Sequence, residues 1–517
     1  MPLPNIPDRF NLASYMVDRH ISEGRGSKAA IVTNGQRWSY AQFATQVNQV
    51  GNALRRLGVQ EEQRVLLLLP DSPEFAAAFF GAVKIGAVPV PCNTSLRPAD
   101  YSYFLDETGA RVLFVHSSLL PQVQSALSSR PYLCHTIAVG DRCDGYLSWE
   151  ELLSDSSPVL DAAPTGKDDV AFWLWTSGST GPPKGAVHLQ HDWICCCEYY
   201  GRGILDIRES DITFSTSKLY HAYGLGNSLM FPFYAGATTI LDSAAHGKTQ
   251  AGVLLGKISK ARPTLFFSVP TLYASMLAET DRLNSYDLSS IRLAASAAEP
   301  LPAELFRKWH TRFGSEILDG IGSTEVLHIY ISARAGAVRP GSTGQPVPGY
   351  KIRVVDESGL DVPHGVVGEL MVASESNAPC YWNRHKLSSE RMRGEWFVSG
   401  DKYYTDEDGY FWYMGRSDDM FRVSGQWVSP IEIESALVEH PAVLEAAVVP
   451  FEQTNGLHAP KAFVVAKPEI HADEALAREL QEFLKSRIAP YKYPRLIEFV
   501  AELPKTAAGK VLRRELR

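Results

Sequence analysis

Between residues 40 and 90 the chain reads as an amphipathic helix (40–57, YAQFATQVNQVGNALRRL), a strand in which Arg64 precedes the unbroken apolar run 65–69, a helix over 71–84 opened by Asp71-Ser72-Pro73, and a second strand opening at Val88-Pro89-Val90. A strand with no polar alternation needs cover on both faces, and the helical spacing on either side supplies it. The pattern predicts a layered α/β arrangement. It recurs at 111–115, 136–139, 263–269 leading into a helix from Thr271, and 291–295 leading into a helix from Pro302. At 517 residues one core is not enough, so two or more domains are expected.

From residue 350 the texture changes. Residues 351–355 and 368–372, with a turn at Glu357-Ser358-Gly359, and the hairpin 403–413, with Asp408-Gly409 at its turn, predict a small antiparallel β subdomain. A charged, glycine-bearing segment then enters an amphipathic helix within 415–440. Strands at 445–449, 462–466 and 496–500 and a helix over 475–487 complete a compact α+β unit of about a hundred residues. The expected division is 1–416 and 417–517.

Composition narrows the partners. A formal net charge of -8 gives no electrostatic reason to expect nucleic acid or an anionic membrane. The start, MPLPNIPDRFNLASYMV, lacks the basic-then-apolar order of a signal peptide, and the most apolar stretch, 75–90, is broken by Gly81, Lys84, Gly86 and Pro89. The seven cysteines form no C-x-x-C pair. A reduced, cytoplasmic protein without a metal cage is expected.

Residues 171–188, AFWLWTSGSTGPPKGAVH, carry a second constraint. The apolar run 171–175 passes abruptly into glycine and hydroxyl residues, then two prolines and Lys184. Gly178, Gly181 and Gly185 let backbone N–H groups approach an anion, Thr176, Ser177, Ser179 and Thr180 add hydroxyl donors, and Lys184 adds charge. A phosphate-gripping turn after a buried strand has this make-up, although a Gly/Ser/Thr cluster alone is more often a flexible surface loop. It is not a Walker A loop: the nearest approach, His246-Gly247-Lys248-Thr249, has Asp242 where the first glycine belongs.

Other places have both a chemical and a plain reading. The small residues of 291–302 (IRLAASAAEPLP) either floor a flat ring or simply pack closely. In 316–328 (EILDGIGSTEVLH), Asp319 suits an exocyclic amine, Thr324 a phosphate and Glu325 a magnesium ion, while Ser/Thr/Glu also matches helix-capping chemistry. Asp401 and Arg416 suit ribose hydroxyls or are a hairpin acid and a surface arginine; Lys510, in a Gly/Ala loop, is catalytic or merely solvated.

In order and approximate spacing, TSGSTGPPKG (176–185), GSTE (322–325), SGD (399–401), GRSDD (415–419) and PKTAAGK (504–510) resemble the motifs of the adenylate-forming superfamily, across essentially the whole chain. The resemblance implies a large domain binding ATP and a carboxylate, and a small mobile domain that swings between two half-reactions about a hinge matched by Asp418. It implies nucleotide contacts from Thr176, Ser177, Gly178, Ser179, Thr180, Gly181, Ala298, Glu299, Asp319, Gly320, Thr324, Asp401 and Arg416, a phosphate clamp in Lys184, Mg2+ on Glu325, and a transition-state cation in Lys510. Ser424 and Gly425 match the segment that gives the CoA arm room in the second step.

More locally, 217–232 (SKLYHAYGLGNSLMFP), 319–332 (DGIGSTEVLHIYIS) and 489–499 (APYKYPRLIEF) resemble benzoate-CoA and hydroxybenzoate-CoA ligases. That likeness implies an aryl pocket at His221, Ala222, Tyr223, Ala297, Gly322 and His328, bordered by Gly320, with Tyr223 shortening it against long acyl chains. His221 stands where benzoate ligases carry an aromatic hydrocarbon, and Ala298 replaces a glycine; benzoate, hydroxybenzoate and aminobenzoate all stay open. Neither histidine is expected to act as a base, since a carboxylate is already ionised at pH 7. The expected partners are a small aromatic carboxylate, ATP and CoA, with no nucleic acid, no membrane, and a homodimer as the assembly. Two alternatives stand beside this reading. A module loading a carrier protein would place an acid near 220–222, where there is none, and the chain is expected to end without a carrier domain. A non-catalytic nucleotide binder would have no need of Lys184, Glu325, Asp401, Arg416 and Lys510 together.

Overall fold

The computed structural model describes residues 3–128, 130–176, 182–243, 251–279, 285–423, 426–452, 458–505 and 511–516. Its first sheet is parallel throughout, in the order Val88–Pro91, Arg64–Leu68, Val112–His116, His135–Val139, Leu147–Ser148. Helix Tyr40–Arg56 begins at Ser39, which makes a capping box with Gln42, and helix Pro73–Lys84 begins at Ser72, whose hydroxyl accepts from the Phe75 amide. The two helices touch through glycines: a Cβ on Gly81 would lie 2.8 Å from Val50. Lys84, which breaks the apolar stretch 75–90, is buried and donates to Asp18 and Asn48.

A second, nine-stranded sheet runs Gln345–Pro346, Ile329–Ser332, Ile317–Gly322, Leu293–Ser296, Leu265–Ser268, Ile212–Ser215, Thr238–Ile240, Ala29–Thr33, Gln36–Ser39. It is parallel in its centre and antiparallel at both edges. Strands 293–296 and 317–322 are neighbours in it, so the small-residue segment after 296 and the acid at 319 meet at one end of the sheet. This is the crevice beyond strand C-termini where α/β sheets bind ligands.

The antiparallel subdomain forms as expected from Lys351–Val355, Gly368–Ala373, Trp396–Thr405 and Phe411–Arg416, joined by the short strand Met392–Arg393. The apolar run before the glycine loop becomes strand Val170–Thr176, and Lys184–Leu189 returns antiparallel to it. The loop therefore closes a hairpin, with Thr176 paired to Lys184.

The C-terminal region has its own three-stranded sheet, Val443–Glu452, His458–Ala466 and Leu496–Phe499, and helices Pro430–Val438 and Glu474–Lys485. Its core, including Val428, Ile433, Leu437, Val448, Val464, Leu480 and Leu484, is separate from the cores of the large domain. Among the described residues the cysteines are all free, no group of three or more His, Cys, Asp or Glu could hold a metal ion, and no helix is long and apolar enough to cross a membrane.

Candidate active site

Ala298, Glu299, Asp319, Gly320, Gly322, Asp401 and Arg416 all line one cleft of about 1640 Å³, to which the C-terminal region contributes Glu434, Glu445, Lys505 and Arg513. Burial pushes the Asp319 carboxyl well above its ordinary range, and its Oδ1 has no hydrogen-bond partner among the described residues. A buried, unpaired acceptor is costly, and an amine donor on a ligand would satisfy it. Glu299 is raised by burial too, while Thr271 donates to its Oε2 at 2.7 Å. Ala298 has φ +74°, the left-handed region in which glycine is at home. The residue that departs from the family pattern thus sits in a strained backbone.

Asp401 and Arg416 face each other across the hairpin register, and Arg416 Nη1 donates to Asp401 Oδ1 at 3.1 Å. Asp401 is the main reason the guanidinium is held above its usual value. Between them Gly400, at φ +80°, leaves space that a Cβ would take from Arg391 Nη1 (2.9 Å) and Arg416 Nη2 (3.1 Å).

Glu325 lies on the short turn Thr324–Val326, opened by Ser323, whose hydroxyl accepts from the Val326 amide. Its carboxylate is buried and its Oε1 accepts from Tyr381 Oη at 2.6 Å, leaving Oε2 for another partner. Burial first, and Glu325 second, keep the Tyr381 phenol protonated and donating. Tyr381 also bridges to Ala186, and its ring centroid lies 5.8 Å from Lys184 Nζ. The lysine at the foot of the loop and the acid of the GSTE turn are therefore gathered by one tyrosine. Ser177, Gly178, Ser179, Thr180 and Gly181 lie outside the described residues, but both feet of their loop are fixed. Thr176 pairs with Lys184, and Tyr103 donates to the Pro183 carbonyl at 2.7 Å, itself held by Arg384.

Beside the cleft stands an aromatic wall. Tyr223 Oη donates to the Ala295 carbonyl at 3.1 Å, and its ring faces His328 at 5.8 Å. His328 is buried among Tyr200, Phe231 and Tyr223, and burial drives its imidazole down to about 3; His221 is driven to about 4. Both are neutral at pH 7. Ala222, between His221 and Tyr223, is buried, as is Ala297 just past strand Leu293–Ser296, and a Cβ on Gly322 would lie 2.7 Å from the His328 carbonyl oxygen.

Asp418 lies between the strand ending at Arg416 and the pair Phe421–Val423/Gln426–Val428, whose connecting residues Ser424 and Gly425 are outside the described set. Lys510 is outside it as well. Its flanks are described: Lys505 pairs with Val511 as an isolated bridge, Lys505 Nζ meets Glu445 at 2.7 Å, and Arg513 Nη2 meets Glu434 at 2.7 Å.

The family profile described as AMP-binding enzyme matches residues 18–382, more than half of the chain. The chain belongs to the AMP-binding enzyme family. A second profile of this family, AMP-binding enzyme C-terminal domain, matches residues 432–510. Among curated relatives, the benzoate–CoA ligase of Thauera aromatica is 47% identical over 100% of this chain and 97% of its own length. Among solved structures, the anthranilate CoA ligase AuaEII in complex with anthranoyl-AMP superposes with a TM-score of 0.95 at 42% identity, covering 100% of this chain and 98% of that one. A benzoate CoA ligase from Burkholderia xenovorans gives 0.91 at 44% identity, covering 98% of this chain and all of the other.

Within this AMP-binding enzyme, sequence reasoning missed Tyr381, Tyr103, Arg384 and the buried pair His188–Asp192. Tyr381 reaches Glu325 across 56 residues, and no local pattern announces such a bond.

Proposed function

We propose that the chain is an AMP-forming aryl-CoA ligase that converts benzoate, or a hydroxy- or amino-substituted benzoate, to an aryl adenylate and then to the CoA thioester. The observation that carries the reading is the cleft that gathers Ala298, Asp319, Gly320, Gly322, Asp401 and Arg416, with the buried His328 and the Tyr223 ring that faces it packed behind Gly322, where the aryl ring is proposed to lie. The full-length likeness to benzoate and anthranilate ligases supports it.

In the first step a carboxylate oxygen attacks the α-phosphorus of ATP in line, forming an O–P bond as the bond to pyrophosphate breaks. Two anions must be brought together, so fixed cations and N–H donors carry the catalysis. Asp319 accepts the exocyclic amine of adenine, the Asp401–Arg416 pair holds the ribose, and the loop 176–181 with Lys184 takes the pyrophosphate end. Magnesium enters with the nucleotide as part of the substrate. Glu325 fits it: one carboxylate oxygen is taken by Tyr381 and the other is left for a cation, and Mg2+ needs only one or two carboxylates beside phosphates. Lys510 supplies the positive charge at the reacting oxygens. In the second step the CoA sulfur attacks the acyl carbon and AMP leaves, with Ser424 and Gly425 beside the pantetheine arm. The exchange of the two faces divides the chain at 416/417, with the hinge at Asp418. A ring substrate suits a pocket shortened by Tyr223, whose hydroxyl is tethered to the Ala295 carbonyl at 3.1 Å. A cytoplasmic setting fits ATP and CoA as substrates and the free cysteines.

The test is pyrophosphate and AMP release over benzoates, cinnamates and fatty acids, with and without CoA. Benzoates should lead, and AMP release should require CoA. A preference for octanoate over every benzoate overturns the aryl assignment, and AMP release with a carrier protein but not with CoA overturns the ligase assignment.

A further inference from the structure

His188 closes the stretch 171–188 without a role in its phosphate-gripping loop, and Asp192 lies beyond it, yet both are completely buried. The imidazole lies on strand Lys184–Leu189, four residues after Lys184, and stacks on Phe172 with ring centroids 5.3 Å apart and planes 24° from parallel. Its Nδ1 is 2.8 Å from Asp192 Oδ2, which also accepts from the Leu189 amide at 3.0 Å. Its Nε2 is 2.8 Å from the Thr324 carbonyl oxygen, 136 residues away. A carbonyl only accepts, so Nε2 carries a proton and donates. The 2.8 Å contact between Nδ1 and Asp192 Oδ2 holds a second proton between ring and carboxyl, and it fixes the ring's orientation.

The acceptor is the first residue of the turn that presents Glu325. The turn has two bonds of its own, Leu327 N to the Thr324 carbonyl at 3.2 Å and Val326 N to Ser323 Oγ, but Leu327, which ends it, has φ +74°, a sparsely populated conformation for a branched L residue that costs on the order of 1–3 kcal/mol and persists where its surroundings over-determine it. Three straps provide the restraint. His188 holds the Thr324 carbonyl, Ala378 N donates to the Glu325 carbonyl at 2.7 Å, and Ser376 Oγ donates to the Val326 carbonyl at 3.0 Å. His188 differs from the other two in its origin, because it rises from the strand that Lys184 begins.

We infer that His188, oriented by Asp192, is a positioning residue that sets the turn carrying Glu325 at a fixed distance from Lys184, so that the magnesium and phosphate ends of the nucleotide are gripped together. It touches no substrate atom. The inference rests on the proposed role of Glu325 toward Mg2+·ATP.

The experiment is calorimetric binding, without turnover, of Mg2+·α,β-methylene-ATP and of AMP to the full chain and to His188→Leu, His188→Asn and His188→Gln. AMP lacks the phosphates that Glu325 and Lys184 address. Leu removes the donor, Asn is too short to reach the carbonyl, and Gln reaches it. The expected result is a five- to tenfold weaker Kd for the magnesium nucleotide in Leu and Asn, a Kd within threefold of the parent in Gln, and AMP binding unchanged within twofold in all. Should Leu not fold, the Asn–Gln comparison decides alone. Equal magnesium-nucleotide affinity in Asn and Gln overturns the inference, as does an equal loss for both nucleotides, which marks general loosening. If the parent protein binds the methylene analogue no better with Mg2+ than without, the role of Glu325 falls, and the inference with it.

Discussion

His20 shows at the scale of one residue how the fold fixes a protonation state. Arg25 Nε donates to its Nδ1 at 2.8 Å, and its Nε2 lies 2.5 Å from the Phe233 carbonyl oxygen, so the ring must be the neutral tautomer. Burial lowers its pKa to about 4, as it does that of His221, and lowers that of His328 to about 3. On unfolding each returns towards about 6.5 and takes up a proton in acid. The unfolded state then binds more protons, so this contribution to stability is present above pH 6.5 and is lost as pH falls towards 4 and below. The buried carboxyls Asp71, Asp319 and Glu299 have raised values and act with the opposite sign. A comparison between parent and variant cancels them. Urea titrations from pH 6.5 to 4 should show the stability of His20→Gln falling less steeply than that of the parent, by up to ~1.4 kcal/mol per pH unit, the value for one proton. Parallel slopes would show that His20 titrates normally in the folded chain.

Among elements, the hairpin Trp396–Thr405/Phe411–Arg416 carries the most on its register. Asp401 and Arg416 meet only because they are paired across it, and Gly400 is the residue whose φ of +80° turns the acid towards the arginine. Gly400→Ala should cost about 1–2 kcal/mol in backbone strain alone. The added methyl also pushes on the Arg416 guanidinium, so KM for ATP should rise by roughly tenfold, the worth of one charge-assisted hydrogen bond, with KM for benzoate little changed. A rise in both KM values together would argue against a ribose role for this pair. Elements of this kind were legible in the sequence where a single periodicity ran unbroken: the helices 40–56 and 73–84, the apolar strands, and the hairpin with Gly409 at φ +78°. Strands 212–215 and 238–240, too short to show a period, were not. Nor was the hairpin closed by Lys184–Leu189, because a return strand is defined by its partner. The motif residues of the site were readable as types. The groups that aim them, Tyr381 on Glu325 and His188 on Thr324, act through long-range bonds that leave no local trace.

The whole molecule consists of two separately cored bodies facing one cleft, with the helix Pro430–Val438 leaning on the strand that ends at Arg416. Both bodies bring acids and bases to that cleft, Asp319, Asp401 and Arg416 from one and Glu434, Glu445, Lys505 and Arg513 from the other. If Lys510 serves only adenylation, Lys510→Ala should lower pyrophosphate exchange at least a hundredfold, roughly the value of one preorganised charge. Formation of aryl-CoA from supplied aryl adenylate should stay within about threefold of the parent. Equal loss in the two assays would contradict a division of labour between faces of the small domain.

Gly320 and Gly322 bear on how new substrate ranges could arise. A methyl on either would not project into open space: at Gly322 it would strike the His328 backbone at 2.7 Å, and at Gly320 the Ile329 side chain at 2.9 Å. Single mutations at these two positions therefore break the wall before they can reshape the room. If Ala222, Ala297 and Tyr223 line the ring pocket as proposed, they are the positions left for a change of substrate preference in this chain, because a methyl on either glycine is forbidden by its neighbours.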